Sequence, residues 1–190
     1  KVFRFFGNLE ESKRLHLEAL EIYRVIGNRK GEADSLNGLG NACTDSGSEE
    51  AEERHRQALD IRREIEDFQG VAASLHNLGN VADNRGQSDE AMRLWEESLE
   101  IERDKGSPVG EAKSLYTIGR EMDQKDPDKA EEFYNESLKI FRSIGNRRGV
   151  ARCLHGLSRI SSKRSNVKET ERLTRGSLAI CKEIGDRSGM

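Results

Sequence analysis

Apolar residues recur along this chain at helical spacing, and the same arrangement returns about every forty residues. The segments Ser35–Gly47, Ser74–Gly86, Ser114–Asp126 and Cys153–Ser165 align at successive offsets of 39, 40 and 39 residues. Each holds large apolar residues three apart: Leu36 and Leu39, Leu75 and Leu78, Leu115 and Ile118, Leu154 and Leu157. A small residue follows directly, Gly40, Gly79, Gly119 or Ser158. Glycine costs a helix about 1 kcal/mol, so three at one offset imply a neighbouring helix that needs the space. A second pattern follows each block and ends in Ala58, Leu59 and Ile61; Ser98, Leu99 and Ile101; Ser137, Leu138 and Ile140; or Ser177, Leu178 and Ile180. The repeating unit is a helix pair that buries its apolar face against its neighbours, which makes the chain an all-α solenoid.

The pattern predicts helices over 9–26, 31–46, 48–67, 70–85, 87–105, 109–124, 128–144, 149–163 and 167–184, with no competing strand signal. Asp126-Pro127 and Ser107-Pro108 each set a cap residue before a proline at the first helical position, and Asn166 with Glu169 has capping-box spacing. Gly47 and Gly86 close first helices; Gly27, Gly106, Gly145 and Gly185 close second helices, a place that Glu66 takes once. The implied divisions are a partial repeat over 1–27, repeats over 28–67, 68–106, 107–145 and 146–185, and the start of another linker over 186–190. Lys1–Phe6 is expected to be the end of a first helix closed at Gly7, so the sequence reads as a piece of a longer array. Array ends of that kind expose apolar surface, and end-to-end self-association is expected of them.

Composition changes this picture little. Apolar residues are 34% and charged residues 35% of the 190, a balance that suits an elongated array with much surface. The formal net charge of −3 gives no general attraction to nucleic acid or to an anionic membrane. No apolar run approaches the roughly 18 residues of a membrane span. Cys43, Cys153 and Cys181 lie far apart without a CxxC pair, which reads as reduced structural thiols in a cytoplasmic protein.

The order of a large apolar residue, Leu-Gly, a small residue opening the second helix and another late in it resembles the tetratricopeptide repeat. Leu36, Leu39-Gly40, Ala51 and Ala58 carry it first, then Leu75, Leu78-Gly79, Ala91 and Ser98, then Leu115, Ile118-Gly119, Ala130 and Ser137. It fades at Leu154, Leu157-Ser158, Thr170 and Ser177. The long unit and the linker GNRKGEA resemble the subclass of Partner-of-Inscuteable-type adaptors, kinesin light chains and prokaryotic signalling arrays. The aromatic usual in the middle of the first helix is replaced by Cys43, Ala82, Met122 and Ser161, which implies looser packing there.

The resemblance implies a right-handed superhelix whose first helices line a concave groove that binds a peptide or helix of a partner protein. Carried over residue by residue, the groove positions include Asn37 and Asn41; His76, Asn80 and Asn84; Lys113, Tyr116 and Arg120; and Arg152, His155, Arg159 and Lys163. Asp123 also falls on that face. Asn41 and Asn80 share one position, and Asn can both donate to and accept from an extended ligand backbone. Arg152, Arg159 and Lys163 are spaced i, i+7 and i+11, one face of one helix, in a stretch without acids. They suit an acidic peptide gripped by forked arginine bonds, or a solvated face paired with an acidic neighbour beyond the given sequence. An Hsp90-type carboxylate clamp is excluded, because Asn37 and Thr117 stand where it needs Lys and Arg.

No enzyme motif and no cofactor site is present. His76 and His155 lie two repeats apart, too far for one metal at helix spacings of about 8–10 Å. His16, His55, Trp95 and Tyr134 share a packed second-helix position. The carboxylate pairs Glu49-Glu50 and Glu96-Glu97 read as outer surface. The sequence thus describes a non-enzymatic protein-binding scaffold. A regulatory segment of a larger signalling or transcription-regulating protein is the alternative, and RNA binding through the basic residues between Arg147 and Lys168 is the third reading.

Overall fold

The computed structural model describes residues 2–44 and 49–185. Among these residues there are nine helices and no strand: α1 (Val2–Val25), α2 (Arg29–Thr44), α3 (Glu49–Glu64), α4 (Phe68–Asn84), α5 (Ser88–Asp104), α6 (Pro108–Lys125), α7 (Pro127–Ser143), α8 (Arg147–Lys163) and α9 (Val167–Glu183). The chain forms two compact units, Lys1–Ile101 and Glu102–Met190, divided within α5. In the first, α1 packs on α2, α2 on α3 and α3 on α4; in the second, α6 packs on α7, α7 on α8 and α8 on α9. Alternate helices also touch, α2 with α4 and α6 with α8. This is an all-α array of sequentially packed helix pairs.

Two sequence expectations are corrected. The break expected at Gly7 does not occur, and α1 runs unbroken from Val2 to Val25. One glycine costs about 1 kcal/mol, less than the orphan backbone groups that two new helix ends would leave. First helices also start earlier than expected, because Asn28, Asp67 and Asn146 cap them by accepting the backbone N–H of Gly31, Gly70 and Gly149. The linker glycines are therefore in the first helical turn rather than in loops. The terminator expected at Gly47 lies outside the described residues. Glu66 does take the left-handed conformation, at φ 56°, in the place that Gly27 and Gly145 fill elsewhere. Asp126 caps α7 through Lys129 N–H as expected, whereas the Ser107 side chain makes no cap bond. Asn166 accepts from Glu169 N–H, but the Glu169 carboxylate turns to Arg172 and leaves the box half made.

Small residues let the helices of a pair approach. Ala51, Ala58, Ala91 and Ala130 are wholly buried. Where Ala58 has a serine counterpart, the hydroxyl donates to a carbonyl of the partner helix: Ser98 to Ala72, Ser137 to Ala112 and Ser177 to Ala151. The glycines named for close packing hold rings. A Cβ on Gly40 would lie 2.6 Å from the His55 ring, and one on Gly79 would lie 2.5 Å from the Trp95 ring.

The linker glycines receive a second-helix side chain in the same way. A Cβ would meet the Tyr23 ring at 2.5 Å from Gly31, Arg62 Cδ at 2.6 Å from Gly70, the Glu102 carboxylate at 2.0 Å from Gly110 and the Phe141 ring at 2.4 Å from Gly149. Two repeats thus place a charged side chain, Arg62 or Glu102, where two others place an aromatic ring, half-buried at Tyr23 and buried at Phe141. Arg62 is largely satisfied, its two terminal nitrogens donating to the Gly70 carbonyl, the Ser74 hydroxyl and the Asp34 carboxylate while Nε is left without a partner. Glu102 is not, since its Oε2 is buried without a hydrogen-bond partner, and burial pushes its carboxyl above the usual range. Replacing a poorly compensated buried charge by an apolar group is often stabilising. Glu102→Phe, which copies Phe141, is expected to raise stability at pH 7 by about 1–2 kcal/mol in urea denaturation. The gain shrinks towards pH 4, because wild-type Glu102 takes up a proton there and recovers stability. A variant less stable at pH 7 would show that the carboxylate is better solvated than its burial indicates.

Candidate partner-binding surface

In the first unit the face built from α2 and α4 is largely committed to internal hydrogen bonds. Half-buried Asn37 accepts from Asn77 Nδ2 at 2.9 Å, and its Oδ1 lies 3.0 Å from Nδ1 of His55. His55 is 0% exposed, and burial with the nearby Arg62 charge lowers its pKa to about 4. A neutral imidazole donating from Nδ1 fits the acceptor that Asn37 presents. Asn37 therefore ties α2 to α3 and α4. Its partner Asn77 was not marked by the repeat alignment, which sets His76 opposite Asn37; the signal that would have found it is an amide forty residues on.

Trp95 is equally buried, and its Nε1–H is shared between the His76 carbonyl and Asn80 Oδ1, both at 3.2 Å. Only the amide NH2 of Asn80 remains for a ligand, so Asn41 and Asn80 differ despite their shared position: Asn41 is exposed and Asn80 half-buried. Asn84 is exposed at the end of α4. The packed histidine position is occupied as expected, with His16 close against Gly38 and His55 against Gly40.

In the second unit α6 and α8 carry most of the basic candidate positions, and Arg159 and Arg120 are close enough to Tyr134 to act on it electrostatically. The Tyr116 and Tyr134 rings lie 5.7 Å apart at 46°. Tyr134 is buried beneath Gly156, and burial together with the Asp123 charge pushes its phenol upward. Tyr116 is half-buried, and Lys113, Arg120, Arg152, His155, Arg159 and Lys163 are exposed. Asp123 does not face an open groove as the repeat register implied; it is 0% exposed. An acid in the last turn of a helix opposes the helix dipole, and α8 supplies the compensation. Lys163 Nζ lies 2.8 Å from Oδ1 and 2.6 Å from the Asp123 carbonyl, and Arg159 Nη2 lies 2.8 Å from Oδ2.

The acidic neighbour expected beyond the given sequence is instead supplied within the chain, for Arg159 and Lys163 by Asp123. Arg147 pairs with Glu183, and Arg164 with Asp128 and Glu131. The side chains of Arg152 and His155 make no ion pair or hydrogen bond among the described residues. Nor do those residues contain a group of three or more His, Cys, Asp or Glu able to hold a metal ion. All three cysteines are buried and in no disulfide, and burial raises the Cys153 thiol to about 11, which makes it a poor nucleophile.

A sequence model of the tetratricopeptide repeat matches residues 2–64 and 70–143, well over half of the chain. The chain belongs to the tetratricopeptide repeat family. No curated protein sequence matches it. Solved structures of similar fold include BtubC (BKLC) from P. vanneervenii, 20% identical with a TM-score of 0.79, covering 92% of this chain and 74% of that one. Aspartyl phosphate phosphatase F from Bacillus subtilis is 14% identical with a TM-score of 0.83 over 98% of this chain and 51% of its own. A Rap protein complexed with Competence and Sporulation Factor is 15% identical with a TM-score of 0.77 over 97% of this chain and 54% of its own. At these identities the tetratricopeptide likeness is one of fold, and the chain spans about half the length of the last two proteins. No described helix is long and apolar enough to cross a membrane.

Proposed function

We propose that this tetratricopeptide array is a non-enzymatic, cytoplasmic interaction module that holds an extended peptide or a helix of a partner protein on its first helices, with acidic residues of the partner against α6 and α8. The observation that carries the reading is that Lys113, Arg152, His155, Arg159 and Lys163 are all exposed on α6 and α8, with Arg159 and Lys163 paired to the buried Asp123. Peptide capture by such faces needs little beyond polar side chains aimed at the ligand backbone and charges of opposite sign. Three buried cysteines outside any disulfide suit a reducing compartment.

A charge-reversed Arg152→Glu variant tests this, because the Arg152 side chain makes no ion pair among the described residues. Against a library of acidic and neutral twelve-residue peptides, the wild-type chain is expected to select acidic ones, and the variant to bind them at least about tenfold more weakly. Equal binding by the variant would move the surface off α6 and α8.

A regulatory segment of a larger protein is the second reading. It is favoured by the match to about half of a Rap protein whose structure holds the Competence and Sporulation Factor.

A further inference from the structure

Asp123 is the one fully buried carboxylate on the described α6–α8 face, and it lies where two of that face's cations converge. Lys163 and Arg159 each approach one of its oxygens to 2.8 Å, yet their side chains remain 35% and 43% exposed. Arg152 stands seven residues before Arg159 on the same helix, exposed and without an ion pair among the described residues. A carboxylate arriving from solvent would therefore find one free guanidinium and two cations already engaged by a carboxylate of the chain itself.

We propose that Asp123 is an internal competitor of an acidic partner segment. It holds Arg159 and Lys163 in position in the unbound protein, and it weakens an acidic ligand both by occupying N–H donors of Lys163 and by repelling the ligand's charge. This rests on the reading of the α6–α8 face as the partner surface. Asp123 cannot swing aside, because it is wholly buried and Lys163 also grips its backbone carbonyl. A ligand that reaches Arg159 or Lys163 is bound with the buried anion still in place, and like charges across an interface are costly.

An acidic peptide suits the site better than RNA. Tyr116 is half-buried and Tyr134 fully buried, so the face has no platform on which successive bases could stack. Arg147 and Arg164 are also taken by Glu183, Asp128 and Glu131.

The test measures anisotropy of a fluorescein-labelled, terminally blocked hepta-glutamate peptide with the full chain, its Asp123→Asn variant and its Arg152→Glu variant, with circular dichroism confirming helicity. Asparagine keeps the shape and an oxygen for Lys163 while removing the charge. Asp123→Asn is expected to bind about tenfold more tightly than wild type, and Arg152→Glu more weakly. Binding by wild type with no gain in Asp123→Asn overturns the competitor role and leaves the surface standing. Failure of both wild type and Asp123→Asn to bind overturns the surface, and the competitor with it. Tightening towards oligouridine in place of the peptide overturns the choice of ligand. Should Asp123→Asn lose helicity, the wild type answers: peptide saturation must shift the Arg159 Nε–H resonance, and an unmoved signal overturns the proposal.

Discussion

Trp95→Ala is expected to destabilise the chain by about 4 kcal/mol, the upper range for truncating a buried aromatic residue. Trp95 is 0% exposed, and its ring fills the slot that Gly79 leaves open, where even a Cβ would come within 2.5 Å. A glycine has no side chain to move into the space vacated, so the cavity persists, and a persistent cavity adds to the lost transfer energy. The truncation also removes the donor shared by the His76 carbonyl and Asn80 Oδ1. Trp95→Phe separates the two contributions: it keeps most of the ring, loses the N–H and is expected to cost about 1–2 kcal/mol. Trp95 is the chain's single tryptophan, so urea transitions are followed by circular dichroism rather than fluorescence. A loss below about 1 kcal/mol for the alanine variant would show that the helices collapse onto the site.

That interface was legible in the sequence because its signal is periodic. Gly40, Gly79 and Gly119 recur at one offset, as do His55, Trp95 and Tyr134, and repetition distinguishes a packing position from chance. The array and the near-exact helix spans follow from the same periodicity. The linker glycines were harder to place. Gly31, Gly70, Gly110 and Gly149 recur as regularly, but glycine beside polar residues reads as a loop, and the side chains they receive share no chemistry: Tyr23, Arg62, Glu102 and Phe141.

The candidate surface was legible as a list of positions and not as a set of free side chains. The repeat register puts Asn37, Asn80, Arg159 and Lys163 on the first-helix face, yet each is held by a partner the register does not name. Asn77, Trp95 and Asp123 supply those partners from neighbouring helices. Asp123 shows why. Periodicity gives the direction in which a helix position points, whereas burial depends on what the next first helix lays over it, here the long side chains of Arg159 and Lys163. Arg152 lacks such a partner among the described residues, and charge reversal there is accordingly the cleaner probe of binding.

Acid is expected to weaken the first unit through His55. Its pKa falls from 6.5 to about 4 on folding, first because burial disfavours the imidazolium and then because Arg62 is near. The native state therefore binds fewer protons than the unfolded chain between those values. The stability that His55 contributes is fully present above pH 6.5, falls as pH drops through the window and is gone near pH 4. A shift of that size corresponds to about 3 kcal/mol. Carboxylates held down by arginine, Glu32 and Glu90 among them, lose stability in the same direction but only below their ordinary range, and Glu102 works in the opposite sense. The informative quantity is the difference between wild type and His55→Gln, whose amide can still donate to Asn37. That difference is expected to decline by about 3 kcal/mol from pH 7 to pH 4, measured by urea denaturation at each pH. A constant difference would mean that His55 titrates normally and reaches solvent by local opening. Protonated His55 still carries the Nδ1–H that Asn37 accepts, so acid acts by placing an imidazolium charge in the core near Arg62 rather than by breaking the Asn37 contact.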